Sequence, residues 1–205
     1  PSGRINLGCI GVGNHGINDM RGLMNDDRVQ VVALCDVNKG SDHGYWGDRP
    51  GGREVAQAIC NEHYAAQTTS GSFKGIDLYN DYRELLARDD IDAVLIALPD
   101  HWHALTVVDA ANAGKDIYGE KPLSLTIRED RLMSDAVKRN NVVFQTGSQQ
   151  RSDARFHHAC ELVRNGYIGK IHTVKCGLPD GASDISKQGH RTEPETPPEG
   201  FDYDF

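Results

Sequence analysis

The sequence has no surplus of basic charge: 22 Lys and Arg stand against 30 Asp and Glu, a formal net charge of −8. Nucleic acid and anionic membrane surfaces both require clustered Lys and Arg, so neither is the expected partner and a small-molecule ligand is the more natural one. No apolar run approaches the ~20 residues needed to cross a bilayer as a helix, so no spanning segment is expected. The five cysteines, Cys9, Cys35, Cys60, Cys160 and Cys176, show no CxxC spacing. Two sit inside apolar, strand-like runs, so they read as buried reduced thiols rather than disulfides. Internal repeats are absent and low complexity is slight. With 38% apolar and 25% charged residues, the composition is that of a soluble globular α/β protein, not of a disordered chain. The 205 residues leave room for one sizeable domain and part of another. The chain opens on Pro1 without an initiator Met and stops after an aromatic cluster, so it reads as a piece of a longer or processed product. A cytoplasmic location is expected, with export after removal of a signal as the alternative.

What is present is a recurring unit, a short apolar run followed by a helical pattern, which is how a parallel α/β sheet reads. Residues 5–10 form the first such run; Ile17, Met20 and Met24 then share a helical face, and residues 29–35 complete a βαβ unit of about thirty residues. Residues 39–52, rich in Gly, Asp and Arg, read as a surface loop inserted ahead of a helix over 54–66. A weak strand near 76–79, a helix carrying Tyr82, Leu85 and Leu86, and a buried strand over 91–98 follow. Ala104, Val107, Val108 and Ala111 mark a helix over 103–114 that Gly114 stops. After a strand at 116–119, Thr126 and Glu129 have capping-box spacing ahead of a helix with Leu132, Met133, Ala136 and Val137 on one face, and 142–146 is the sixth strand. Beyond Gly147 come a helix near 153–165, a strand over 171–178 and a loop-like tail over 181–205 that is poorly ordered if its partners are absent. The expectation is a Rossmann-type parallel sheet over residues 1–150 and the beginning of a second α/β domain over 151–205.

Five clusters could carry chemistry, and each falls at the carboxyl end of an expected strand, the edge where ligands bind in open α/β sheets. Gly11-Val12-Gly13-Asn14-His15-Gly16 has the spacing of a pyrophosphate turn: one glycine for the tight turn, one for close backbone approach, one for helix packing on strand. Helix amides and dipole would then face the phosphates. Asp36 follows Gly16 by about twenty residues, where a carboxylate accepts from the adenosine ribose hydroxyls and repels a 2′-phosphate; NAD is therefore expected over NADP. Pro99-Asp100-His101-Trp102-His103 reads as a loop lining the cofactor trough, with Pro99, Asp100 and His103 as cofactor contacts. No Cys or carboxylate stands at metal-ligand spacing from its histidines, so no metal is expected. Trp102 is open between a substrate contact and ordinary packing.

Glu120-Lys121-Pro122 places a lysine where it can hydrogen-bond a substrate hydroxyl and shift its proton affinity, if burial and a nearby positive charge lower its own; otherwise it is a surface lysine at a strand end. Gln149 and Arg151, in Gly147-Ser148-Gln149-Gln150-Arg151, either meet a hydroxyl-rich substrate or tie two domains together. His157 and His158 are neighbours in an expected helix, point about 100° apart and form no simple chelating pair.

Taken together, Ala97-Leu98-Pro99-Asp100-His101-Trp102-His103-Ala104, Ala113-Gly114-Lys115-Asp116 and Glu120-Lys121-Pro122 resemble the Gfo/Idh/MocA oxidoreductases over essentially the whole chain. The resemblance implies an N-terminal Rossmann domain and a C-terminal α/β domain that builds the substrate pocket and the interface of a homo-oligomer. It implies that Lys121 is the catalytic lysine, that Glu120 lies by the nicotinamide ribose, and that an Asp and a His of the C-terminal domain complete the proton relay. The implied reaction is NAD-dependent oxidation of a secondary hydroxyl of a sugar, inositol or related polyol. Two rivals are a glycoside hydrolase that works through transient oxidation by bound NAD, and a non-catalytic dinucleotide-binding module.

Overall fold

The computed structural model describes residues 3–40, 50–177, 196–197 and 199–202. It divides into two compact units, Pro1–Gly147 with Pro198–Phe205, and Ser148–Pro197.

In the first unit β1 (Ile5–Ile10), β2 (Val29–Cys35), β3 (Asp77–Tyr79), β4 (Ala93–Ile96), β5 (Asp116–Glu120) and β6 (Phe144–Gly147) form one sheet. Its order is β3-β2-β1-β4-β5-β6, and every pairing is parallel. This is the doubly wound arrangement of dinucleotide-binding folds, in which the chain reverses direction across the sheet between β1 and β4. Both faces are covered, so the strands are apolar runs rather than alternations. On one face α1 (Asn14–Met24) and α2 (Arg53–Ala65) bury Ile17, Met20, Cys60 and Tyr64 against Leu7, Val31, Leu34 and Leu95. On the other, α3 (Tyr82–Leu86), α4 (Asp100–Asn112) and α5 (Ile127–Asn140) bury Leu85, Val107 and Met133 against Ile10, Val32, Val94 and Ile96. In β2 both Val32 and Ala33 belong to this second face. The cause is a register shift: Leu7 pairs with Val31 but Gly8 with Ala33, so Val32 is an extra residue.

The helix over 103–114 begins earlier than expected. Pro99 caps α4 and Asp100, His101, Trp102 and His103 are its first turn, not a loop. The apolar stripe marked only the positions that meet the core, while the opening turn is mostly polar and carries no such mark. Asp100 there sits favourably at the positive end of the helix dipole. The capping box of α5 is formed: Thr126 Oγ1 accepts from the Glu129 N–H at 3.3 Å and Glu129 Oε2 accepts from the Thr126 N–H at 2.8 Å.

In the second unit a short 3-10 turn (Gln149–Ser152) precedes α6 (Ala154–Arg164), which buries none of its residues. The strand expected over 171–178 is corrected: residues 171–177 are exposed and irregular, and Leu178 lies outside the described residues. A strand needs a neighbour to take its N–H and C=O groups, and no ladder pairs with this segment among the described residues. Most of the tail expected over 181–205 lies outside the described residues, but Phe201 bridges Asn38 in antiparallel fashion. The cysteines divide in the same way, with Cys9, Cys35 and Cys60 buried and Cys160 and Cys176 exposed, all five free. No described helix is long and apolar enough to cross a membrane.

Candidate functional site

The chain leaves β1 through Gly11 at φ +83. A Cβ there would strike the Ala97 carbonyl oxygen and come within 2.8 Å of the Leu98 side chain, and one on Gly16 would strike the Gly11 carbonyl oxygen. Both glycines are thus required by close approach and, at Gly11, by backbone conformation. Gly13 differs: a Cβ there would meet nothing within 4 Å among the described residues. It is also the N-cap of α1, with no side-chain cap. Open space over an uncapped helix N-terminus is a place for an anion. The end of the 39–52 segment belongs to this turn rather than to a detached surface insertion, because the Gly52 N–H donates to the Val12 carbonyl at 2.9 Å and both Gly51 and Gly52 are buried.

Asp36, just past β2, braces the same turn. Its Oδ2 accepts from the Val12 N–H and its Oδ1 from the Asn38 N–H, each at 2.8 Å. Burial raises its pKa, against the lowering effect of those two N–H donors and of Arg53. Arg53 donates to the Asp36 carbonyl at 2.6 Å and to Asn80 Oδ1 at 3.2 Å, so a cation that sequence reasoning did not single out stands beside Asp36.

At the end of β5, Glu120 is 3% exposed. Its Oε2 accepts from the Lys121 N–H at 3.1 Å and lies 3.4 Å from His15 Nε2, in the glycine turn. Gly147, at the end of β6, makes room for it, since a Cβ there would overlap Glu120 Oε1. Asp19, one turn after His15, joins the group with Oδ2 3.7 Å from His15 Nε2. Burial pushes the Asp19 carboxyl up to about 6, with His15 and Lys121 opposing and Glu120 adding to the shift.

The family profile described as oxidoreductase family, NAD-binding Rossmann fold matches residues 5–148. The chain belongs to the Gfo/Idh/MocA oxidoreductase family. Myo-inositol 2-dehydrogenase of Thermotoga maritima is 36% identical over 178 residues, 87% of this chain and 46% of that protein. An alpha-N-acetylgalactosaminidase of Shewanella oneidensis is 30% identical over 172 residues, 82% of this chain and 33% of that protein. The crystal structure of myo-inositol 2-dehydrogenase from Lactobacillus plantarum superposes with a TM-score of 0.62 at 28% identity, covering 82% of this chain and 43% of that one. The chain therefore spans less than half the length of these relatives.

Within this Gfo/Idh/MocA domain three of the expected clusters, the glycine turn, Asp36 and Glu120-Lys121, lie in contact along one sheet edge. Asp36 holds Val12, His15 faces Glu120, and Glu120 bonds Lys121. The Gly13 turn fits the pyrophosphate of a dinucleotide, with Asn14, His15 and Gly16 as the opening turn of α1. His103, expected as a cofactor contact, is held within the protein. It is 2% exposed, its Nε2 accepts from the Leu98 N–H at 3.1 Å, and its Nδ1 meets the Pro122 carbonyl. Those partners assign the proton to Nδ1 and make His103 a brace between the ends of β4 and β5. Trp102 packs against the core on the α4 face, which favours the packing reading. Pro99 is exposed and Asp100 half-buried at the head of α4. Lys121 is exposed, without the burial the lysine reading called for. Gln149 and Arg151 are exposed residues of the second unit.

Proposed function

We propose that this chain is the cofactor half of a NAD-dependent dehydrogenase that oxidises a secondary hydroxyl of a sugar, inositol or related polyol. The observation that carries the reading is the contact of His15 with Glu120 at 3.4 Å: it joins the phosphate turn to the strand end that bears Lys121. Bound NAD would supply the hydride acceptor. The N-terminus of α1 would hold the pyrophosphate, Asp36 the adenosine ribose hydroxyls, and Glu120 the ribose nearer the nicotinamide. Lys121 Nζ would hydrogen-bond the substrate hydroxyl and ease departure of its proton. The main base and the substrate pocket would come from residues outside this chain, as the greater length of its relatives suggests.

In the full-length enzyme Lys121→Ala is expected to lower kcat by about 100-fold or more, the lower range for general acid and base groups, while NAD affinity stays within a few fold. An unchanged kcat on a polyol panel sinks the role. The isolated 205 residues are expected to bind NAD without steady-state NADH production. A negative side chain at Asp36 favours NAD over NADP, so Asp36→Ser should narrow that preference. The similarity to an alpha-N-acetylgalactosaminidase supports a second reading, hydrolysis through transient oxidation. Release of sugar from an aryl glycoside without net NADH would select it.

A further inference from the structure

We propose that residues 200–202 form a strap that positions the Asp36 carboxylate for its ligand, with Gly200 and Asp202 as the positioning residues. The proposal rests on the reading of Asp36 as the group that takes the adenosine ribose hydroxyls of the dinucleotide. One carboxylate oxygen of Asp36 accepts from the Asn38 N–H at 2.8 Å, so the carboxylate is aimed by the backbone of residues 37–39. Two elements hold that backbone. The start of α2 does so through the Arg53 N–H, which donates to the Asn38 carbonyl at 3.0 Å, and the Glu54 N–H, which donates to the Lys39 carbonyl at 2.9 Å. The strap does so through an antiparallel bridge between Asn38 and Phe201. In that bridge the Lys39 N–H donates to the Gly200 carbonyl at 2.9 Å and the Asp202 N–H to the Val37 carbonyl at 3.1 Å.

Side chains link the strap to Asp36 by a second route. Asn80, just past β3, donates from Nδ2 to Asp202 Oδ2 at 2.6 Å and accepts at Oδ1 from Arg53 Nη1 at 3.2 Å. The same Arg53 nitrogen donates to the Asp36 carbonyl at 2.6 Å. The strap also has a specific conformation. Gly200 stands at φ +82, and a Cβ there would lie 3.1 Å from the Lys39 Cβ. A larger residue would be strained in itself and would press on the residue whose N–H bonds the Gly200 carbonyl. Burial is not what the strap contributes, since Phe201 is 38% exposed and Asp202 is exposed. Joining residues so far apart in sequence costs chain entropy, and a short exposed bridge buries little apolar surface to offset it. What the strap supplies is a fixed position for residues 37–39, and through them for Asp36.

The test compares two ligands by calorimetric titration, NAD and NAD that lacks the adenosine 2′-hydroxyl. They are titrated into the native chain and into Gly200→Val and Asp202→Ala, each confirmed as folded by its melting transition. The native chain is expected to prefer NAD by about tenfold or more, the scale of a hydrogen bond to a charged group. In both variants that preference should largely vanish, while affinity for the 2′-deoxy compound is little changed. A strap that only steadied the fold would weaken both ligands alike. A preference kept in a folded variant, or an equal loss for both ligands, overturns the strap and leaves the reading of Asp36 standing. A native chain that binds neither ligand, or does not tell them apart, overturns the reading of Asp36, and the proposal falls with it.

Discussion

The sheet unit and the segment after Gly147 follow similar helical patterns to different ends. In the first, Leu34, Val94, Leu95 and Ile96 are wholly buried between two helical layers. In the second, α6 buries nothing, and Phe156, Tyr167 and Ile168 are 53%, 77% and 63% exposed. α6 persists through local devices: the Asp153 carboxylate caps it by accepting from the Arg155 N–H at 2.8 Å, and Arg155 pairs with Asp153 at 2.7 Å. Periodicity thus encodes that a face is to be covered, but not by what. Helical bonds close within the segment, so α6 forms without its cover, while residues 171–177, which would need a neighbouring strand, do not become one.

The largest expected contrast between the two regions is chemical. Burial pushes the Cys35 and Cys60 thiols up to about 12 and raises that of Cys9 well above its ordinary value. A rise of about three units leaves roughly a thousandfold less thiolate at a given pH below it, and the thiolate is the nucleophile. Cys160 and Cys176 are exposed. Titration of the native chain with an aromatic disulfide at pH 8 should therefore release two equivalents fast and the other three only on denaturation. Rapid reaction of all five would show that the sheet unit opens as readily as the second.

Next in size is the response to truncation of apolar side chains. Leu95 has 0% exposure in β4, a central strand, and Leu95→Ala should cost about 2–5 kcal/mol through lost burial and the cavity left behind. Phe156→Ala, at a side chain 53% exposed, should change unfolding free energy by no more than about 0.5 kcal/mol. Denaturant titration of both variants checks the pair, and equal losses would mean that α6 is covered after all.

The same contrast explains what could be read from the sequence. β1 and β2 were legible to the residue because buried strands in a parallel sheet are apolar runs bounded by Gly or Asp. The nearness of the glycine turn, Asp36 and Glu120 was legible because a parallel sheet brings its strand ends to one edge. The pairings across that edge were not: that Gly147 makes room for Glu120, that Arg53 reaches Asp36, or that the Lys115 ammonium is buried on the carbonyls of Arg88 and Ile91. Such contacts join residues far apart in sequence, and no local period marks them. Asp19 left a weak trace, four residues after His15 on an expected helix. His103 left none, since a histidine that braces two loops has the same sequence signature as one that touches a ligand.

The smallest contrast concerns the caps. Thr126→Ala removes the acceptor for the Glu129 N–H and should lower the stability of the sheet unit by about 1 kcal/mol, within the usual range of about 0.5–2 for such losses. Asp153→Ala removes an equivalent acceptor from α6. Its local cost is similar, but α6 buries no residue, so little else is coupled to it. That cost should appear as fraying: faster amide exchange in the first turn of α6, with the main unfolding transition unmoved. For Thr126→Ala the transition itself should shift, because α5 lays Met133 and Ala136 into the core. If Asp153→Ala also moved the main transition by about 1 kcal/mol, α6 would have to unfold together with the sheet, and cooperative folding would then extend to a helix that buries nothing of its own.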